Sequence, residues 1–205
     1  MTVRTAEPPA RTSGDRSVAG LAALLRDRPC CAAVVAEPML ERALASASPL
    51  VVILRGDGLT LREPIERVHA AGKMAAIHLD LVDGLEADIH GVSWLARCGA
   101  DAIISSRGGL MPAIRREGRL AIHRVLLSRR SHLDAAMKAA ARAAPDVLEV
   151  LPGILLPSIT QLLPRLGIPV LAGGFIRSPE DVRAALAAGA AGVTTSQAEL
   201  WGDPE

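Results

Sequence analysis

The chain has 205 residues, 23 basic against 22 acidic side chains and a formal net charge of +1; half of its residues are hydrophobic. That length fits one domain and is short for two, and the balanced charge gives no overall electrostatic footprint for nucleic acid. One Phe, two Trp and no Tyr argue against aromatic platforms for stacking bases, and three Cys without metal-type spacing argue against a disulfide framework.

In chain order, residues 1–17 are rich in Arg, Pro, Thr, Ser and Gly, show no period and lack an apolar signal-like run, so they read as a flexible tail. A short helix at 18–26 leads into a domain spanning 18–203. Short β-rich apolar runs then recur at 31–36, 50–54, 74–79, 102–105, 120–126, 147–151, 170–172 and 192–195. Helical spacing fills the intervals at 39–47, 61–71, 89–98, 110–117, 132–143, 155–166 and 179–188, with a short last helix at 197–201. Strands alternating with helices require a parallel sheet. Eight such units favour a compact (β/α)8 TIM-type barrel over an open doubly wound sheet, the competing reading. No apolar stretch approaches ~20 residues, so no membrane span is expected, and a reducing, cytoplasmic location follows. A faint internal echo relates residues 99–106 (Gly-Ala-Asp-Ala-Ile-Ile-Ser-Ser) to 189–196 (Gly-Ala-Ala-Gly-Val-Thr-Thr-Ser), as two related half-barrels would leave.

The strongest local signal is a pair of segments, Gly173-Gly174-Phe175 and Thr194-Thr195-Ser196, at the ends of the seventh and eighth strands. TIM barrels hold phosphate there: glycines admit backbone N–H groups to an anion and hydroxyls add donors. Ser196, with Glu199 at capping-box spacing, is expected to cap the last helix, and Arg177 stands within reach before the helix that Ser178-Pro179 opens. His78 and Asp80 share a face by period two if the third strand runs through both. Glu149 stands in an otherwise apolar strand and needs a partner, for which Arg124 is the natural candidate. Arg107, and the basic clusters Arg115-Arg116 and Arg129-Arg130, are candidates for contact with RNA as well as ordinary solvated positions. Lys73 stands at the entry of the third strand and Lys138 inside a helix, neither at the carboxyl end of a strand, which argues against a Schiff-base aldolase, and no metal-ligand spacing appears among the His.

The blocks His78-Leu79-Asp80-Leu81, Ile103-Ile104-Ser105-Ser106-Arg107, Ala121-Ile122-His123-Arg124, Glu149-Val150-Leu151-Pro152-Gly153, Ala172-Gly173-Gly174-Phe175-Ile176 and Val193-Thr194-Thr195-Ser196, with Leu200-Trp201, taken in order resemble the glycerol-3-phosphate-responsive antiterminators of bacterial glycerol operons. The resemblance runs from about Ala75 to Trp201. It implies a (β/α)8 barrel without a cofactor that binds glycerol-3-phosphate as effector, engages leader mRNA and prevents termination. It further implies that Gly173, Gly174, Thr195 and Ser196 hold the phosphate, while His78, Asp80, Arg124 and Glu149 face the glycerol. An enzyme acting on a small triose or glycerol phosphate is the alternative. Homo-oligomerisation is compatible with the sequence.

Overall fold

The computed structural model describes residues 17–127, 133–165 and 167–202, so residues 1–16 of the expected tail lie outside it. Eight parallel strands form the barrel: β1 (Cys30–Val34), β2 (Leu50–Ile53), β3 (Met74–His78), β4 (Ala102–Ser105), β5 (Leu120–Leu126), β6 (Val147–Leu151), β7 (Val170–Gly173) and β8 (Gly192–Thr195). Each pairs with its sequence neighbours, and β8 returns to β1 through Cys31↔Thr194, closing the sheet. The expected barrel is therefore the observed one, and the open sheet is not.

The described residues form seven α-helices: α1 (Val18–Asp27) at one end of the barrel, and α2 (Glu37–Ala45), α3 (Arg62–Ala70), α4 (Ile89–Cys98), α5 (Met111–Arg116), α6 (Leu133–Ala143) and α7 (Pro179–Ala187) around it. The connection expected as a helix at 155–166 is instead a 3₁₀ segment, Gly153–Arg165. Pro157 and Pro164 each remove an amide donor from an i→i−4 ladder, which disfavours the α form. A two-residue ladder between Gly56–Asp57 and Val82–Asp83, which periodicity does not reveal, tacks the loop after β2 to the loop after β3.

Alternation along the strands separates two layers. Leu50, Val52, Met74, Ala76, Ala102, Ile104, Leu120, Ile122, Val147 and Leu171 fill the barrel, whereas Val51, Ile53, Ile77, Ile103 and Val150 face the helices. Ser17 caps α1 by accepting from the Gly20 amide at 3.1 Å. Leu21 and Leu25, one helical turn apart, are 1% and 2% exposed and pack on the first residues of β2 to β6, so α1 plugs the N-terminal end. Burying each leucine stabilises by about 1.5–3 kcal/mol.

Polar groups at that end are paired. Ser48 accepts from the Ala32 amide at 2.8 Å, Asp101 from Ala75 at 2.9 Å and Asp146 from Ala121 at 2.8 Å. Lys73 donates to the carbonyls of Ser46 and Ser48 at 2.5 and 2.7 Å.

The echo between 99–106 and 189–196 is structural. Gly99 and Gly189 both end helices at φ 103°. Ser105 Oγ accepts from the Arg107 amide at 3.0 Å, and Thr195 Oγ1 accepts from the Gln197 amide at 3.1 Å. Single 3₁₀ turns follow, Gly108–Leu110 and Ala198–Leu200.

Candidate functional site: a pocket at the barrel mouth

A pocket of about 300 Å³ opens at the C-terminal ends of β5 to β8 and β1, lined in part by Arg124, Glu149, Gly174, Arg177, Thr194 and Ser196. The alternation that fills the barrel with apolar side chains places Arg124, Glu149 and Thr194 inside its upper part. Register pairs Arg124 with Glu149 directly across β5 and β6. Arg124 Nε donates to Glu149 Oε2 at 2.6 Å, and Thr194 Oγ1 donates to Oε1 at 2.6 Å. Glu149 is 1% exposed, so both partners are needed to keep its charge there. Among the described residues only Nε of the Arg124 fork is engaged, leaving its terminal amino groups toward the pocket.

Gly173 is required by this network. A Cβ at that position would stand 2.6 Å from Thr194 Oγ1 and 2.9 Å from Glu149 Oε1. Gly174 (φ 77°) and Phe175 (φ 60°) then turn left-handed in succession. That conformation costs a phenylalanine free energy, and it swings the ring out to 61% exposure at the pocket rim. The Arg177 guanidinium sits over the ring, 5.4 Å from its centroid. The Arg177 amide is held by Asp181 at 2.9 Å, within the capping box that Ser178 and Asp181 form on α7.

The strand-end hydroxyls divide their roles. Thr195 lines the pocket, but its hydroxyl is already engaged, donating to the Ile176 carbonyl at 2.7 Å while accepting from the Gln197 amide. Ser196 does not cap the last helix as the sequence suggests. That helix is a single 3₁₀ turn whose leading amide is taken by Thr195, one residue earlier. Ser196 is exposed at the pocket, and neither its N–H nor its hydroxyl has a hydrogen-bond partner among the described residues.

His78 and Asp80 separate. The strand stops at His78, and a 3₁₀ turn, Leu79–Leu81, breaks the period-two alternation. The Asp80 carboxylate turns onto the end of β4: Oδ1 accepts from Ser105 Oγ at 2.5 Å, and Oδ2 accepts from the Ser106 amide at 2.7 Å and its hydroxyl at 2.5 Å. Burial pushes the Asp80 carboxyl up, but these donors outweigh it and hold it below the usual carboxylate range. His78 is 3% exposed, and its Nδ1 has no partner among the described residues. Burial first, and the Arg124 charge second, hold the imidazole below its ordinary range, so it is neutral near pH 7.

Two residues escaped sequence reasoning. Cys31, across from Thr194, is fully buried, and burial beside Cys30 and Glu149 pushes its thiol far up, which makes it a packing group. His123 points outward and meets the Ser106 carbonyl at 3.2 Å; nothing in its spacing signals that contact.

Arg107, Arg115 and Arg116 are exposed; Arg107 donates to the Ala87 carbonyl at 3.0 Å and Arg115 to the Ala144 carbonyl. Arg129 and Arg130 lie outside the described residues. A second pocket, of about 390 Å³ between β1 and β2, sets Glu37, Asp57, Glu63 and Asp83 against Arg55, a balance that disfavours an anion. The pocket at the ends of β5 to β8 and β1 instead sets Arg124 and Arg177 against Glu149.

Comparison with known proteins fixes the family. Residues 30–201 match the profile of the glycerol-3-phosphate responsive antiterminators. The chain belongs to this family. The antiterminator match begins at β1, well before Ala75, and so takes in the first half of the barrel. The crystal structure of a glycerol uptake operon antiterminator regulatory protein from Listeria monocytogenes superposes with a TM-score of 0.79 at 31% identity, covering 84% of this chain and 94% of that one. A glycerol uptake operon antiterminator-related protein from Thermotoga maritima gives a TM-score of 0.77 at 24% identity, covering 85% and 98%. The Escherichia coli K12 protein YgcP is 31% identical over 179 residues, which is 87% of this antiterminator-family chain and 94% of YgcP. No helix among the described residues is long and apolar enough to cross a membrane.

Proposed function

We propose that this chain is a cytoplasmic glycerol-3-phosphate sensor that, when loaded, binds the leader mRNA of glycerol-utilisation genes and prevents termination. The single observation that carries the ligand half is the pocket in which Arg124, Arg177 and Ser196 direct unused donors into one space, while the Glu149 charge is already paired with Arg124 and hydrogen-bonded by Thr194. In this reading the phosphate lies against Ser196 and the two guanidinium groups, with Gly173 and Gly174 keeping the approach free of side chains. The Glu149 carboxylate, held by Arg124 and Thr194, and the neutral His78 ring face the glycerol end, and Asp80 and Thr195 brace the loops. The family supports the regulatory half, with Arg107, Arg115 and Arg116 as the described part of the RNA-facing surface. Sensing requires that the ligand prefer the RNA-competent state.

A thermal shift series with glycerol-3-phosphate, glycerol and inorganic phosphate tests the ligand. At ~100 times the dissociation constant, glycerol-3-phosphate adds about 2.7 kcal/mol. No response would sink the assignment. A gel shift of leader RNA with and without ligand tests the output, and turnover of the ligand on prolonged incubation would replace the sensor with an enzyme.

A further inference from the structure

The two half-barrels end in the same loop at different occupancy. Offset by 90 residues, Ser105 matches Thr195, Ser106 matches Ser196 and Arg107 matches Gln197. In both copies the first hydroxyl accepts from the amide two residues on, and a single 3₁₀ turn follows. The amide and hydroxyl of the middle serine then project toward the loop of the preceding strand. In the first half they meet the Asp80 carboxylate, at 2.7 and 2.5 Å. In the second half the amide and hydroxyl of Ser196 face the pocket instead. The difference lies in the preceding loop. Leu79–Leu81 winds right-handed and brings Asp80 back over Ser106, whereas Gly174 and Phe175 turn left-handed and move away.

We propose that the loop after β4 is a second oxyanion cradle, built like the one after β8 and kept shut by the chain's own Asp80 carboxylate. The cradle donates the Ser106 amide, the Ser106 hydroxyl and the Ser105 hydroxyl, a set suited to inorganic phosphate or a phosphomonoester. Asp80 is then a specificity-determining residue, limiting the barrel to one exogenous anion. The comparison of loops rests on the reading of the β8 end as an anion grip; the test does not.

The test counts bound inorganic phosphate by isothermal titration calorimetry, at constant ionic strength, on the full chain, on Asp80→Ala, and on Asp80→Ala combined with Ser106→Ala. The expected result is one more phosphate on Asp80→Ala than on the parent, with the gain abolished in the double variant. The parent's own count bears on the loop after β8, while the increment alone decides this inference. Should Asp80→Ala fail to fold in chloride, its thermal midpoint is read in phosphate and in chloride of equal ionic strength, and selective recovery in phosphate is expected. No increment, an increment that survives Ser106→Ala, or recovery that is equal in the two salts or absent from both would overturn the proposal.

Discussion

The two ends of the barrel are opposites. At the N-terminal end α1 seals the interior with Leu21 and Leu25, and Ser48, Asp101, Asp146 and Lys73 hold strand amides and loop carbonyls in closed pairs. At the C-terminal end the Arg124 tips, Ser196 and the His78 Nδ1 carry donors or acceptors without a partner among the described residues, and Phe175 holds a strained backbone. The N-terminal end is held by these closed pairs, whereas at the C-terminal end paired groups such as Asp80 and Thr194 stand beside the open donors of Ser196 and the Arg124 tips, which separates groups that stabilise from groups open to a ligand. Glu149 is the point at which the two meet, since it is both core and pocket.

The sharpest break of this comparison is Glu149→Ala. It strands Arg124, itself 15% exposed, inside the barrel, and a loss of about 3–5 kcal/mol is expected in denaturant unfolding, together with loss of the glycerol-3-phosphate response. Next is Leu25→Ala in the plug, for which a cost of about 2–5 kcal/mol is expected with the dissociation constant for ligand unchanged. If affinity falls in step with stability, the two ends are not separable. Ser196→Ala is the converse: stability stays within about 0.5 kcal/mol, while ligand affinity drops about ten- to a hundredfold by calorimetry.

The smallest effect is in pH. His78 and His123 are both held below their ordinary range, chiefly by burial, so the unfolded chain binds more protons than the folded one as pH falls below about 6.5. Stability is therefore full above that value and declines below it, by at most about 1.4 kcal/mol per pH unit for each histidine. His78→Gln is expected to flatten the decline between pH 7.5 and 5.5; an unchanged slope would remove His78 from this account.

The fold was legible because alternation and helical spacing are repeated eight times, so errors at single boundaries do not alter the count. The pair Arg124–Glu149 was legible too, because a carboxylate inside an apolar strand demands a cation. What escaped lies just past the strand ends, where period two lapses. Asp80 leaves the His78 face because a 3₁₀ turn begins at Leu79. Thr195, not Ser196, takes the leading amide because its hydroxyl closes a local turn two residues on, a contact that capping-box spacing does not describe. The prolines of the β6–β7 connection were visible, but their effect on a 13-residue segment depends on packing that the sequence does not display.

Arg124 and Arg177 have a consequence for how the pocket responds to its surroundings. Both guanidinium groups line the pocket and attract an anion by their charge. A phosphomonoester takes on its second charge near pH 6. With the proposed phosphomonoester as occupant, the acidity of the medium reaches the pocket through the charge of the ligand, and ionic strength reaches it through screening of the two arginines.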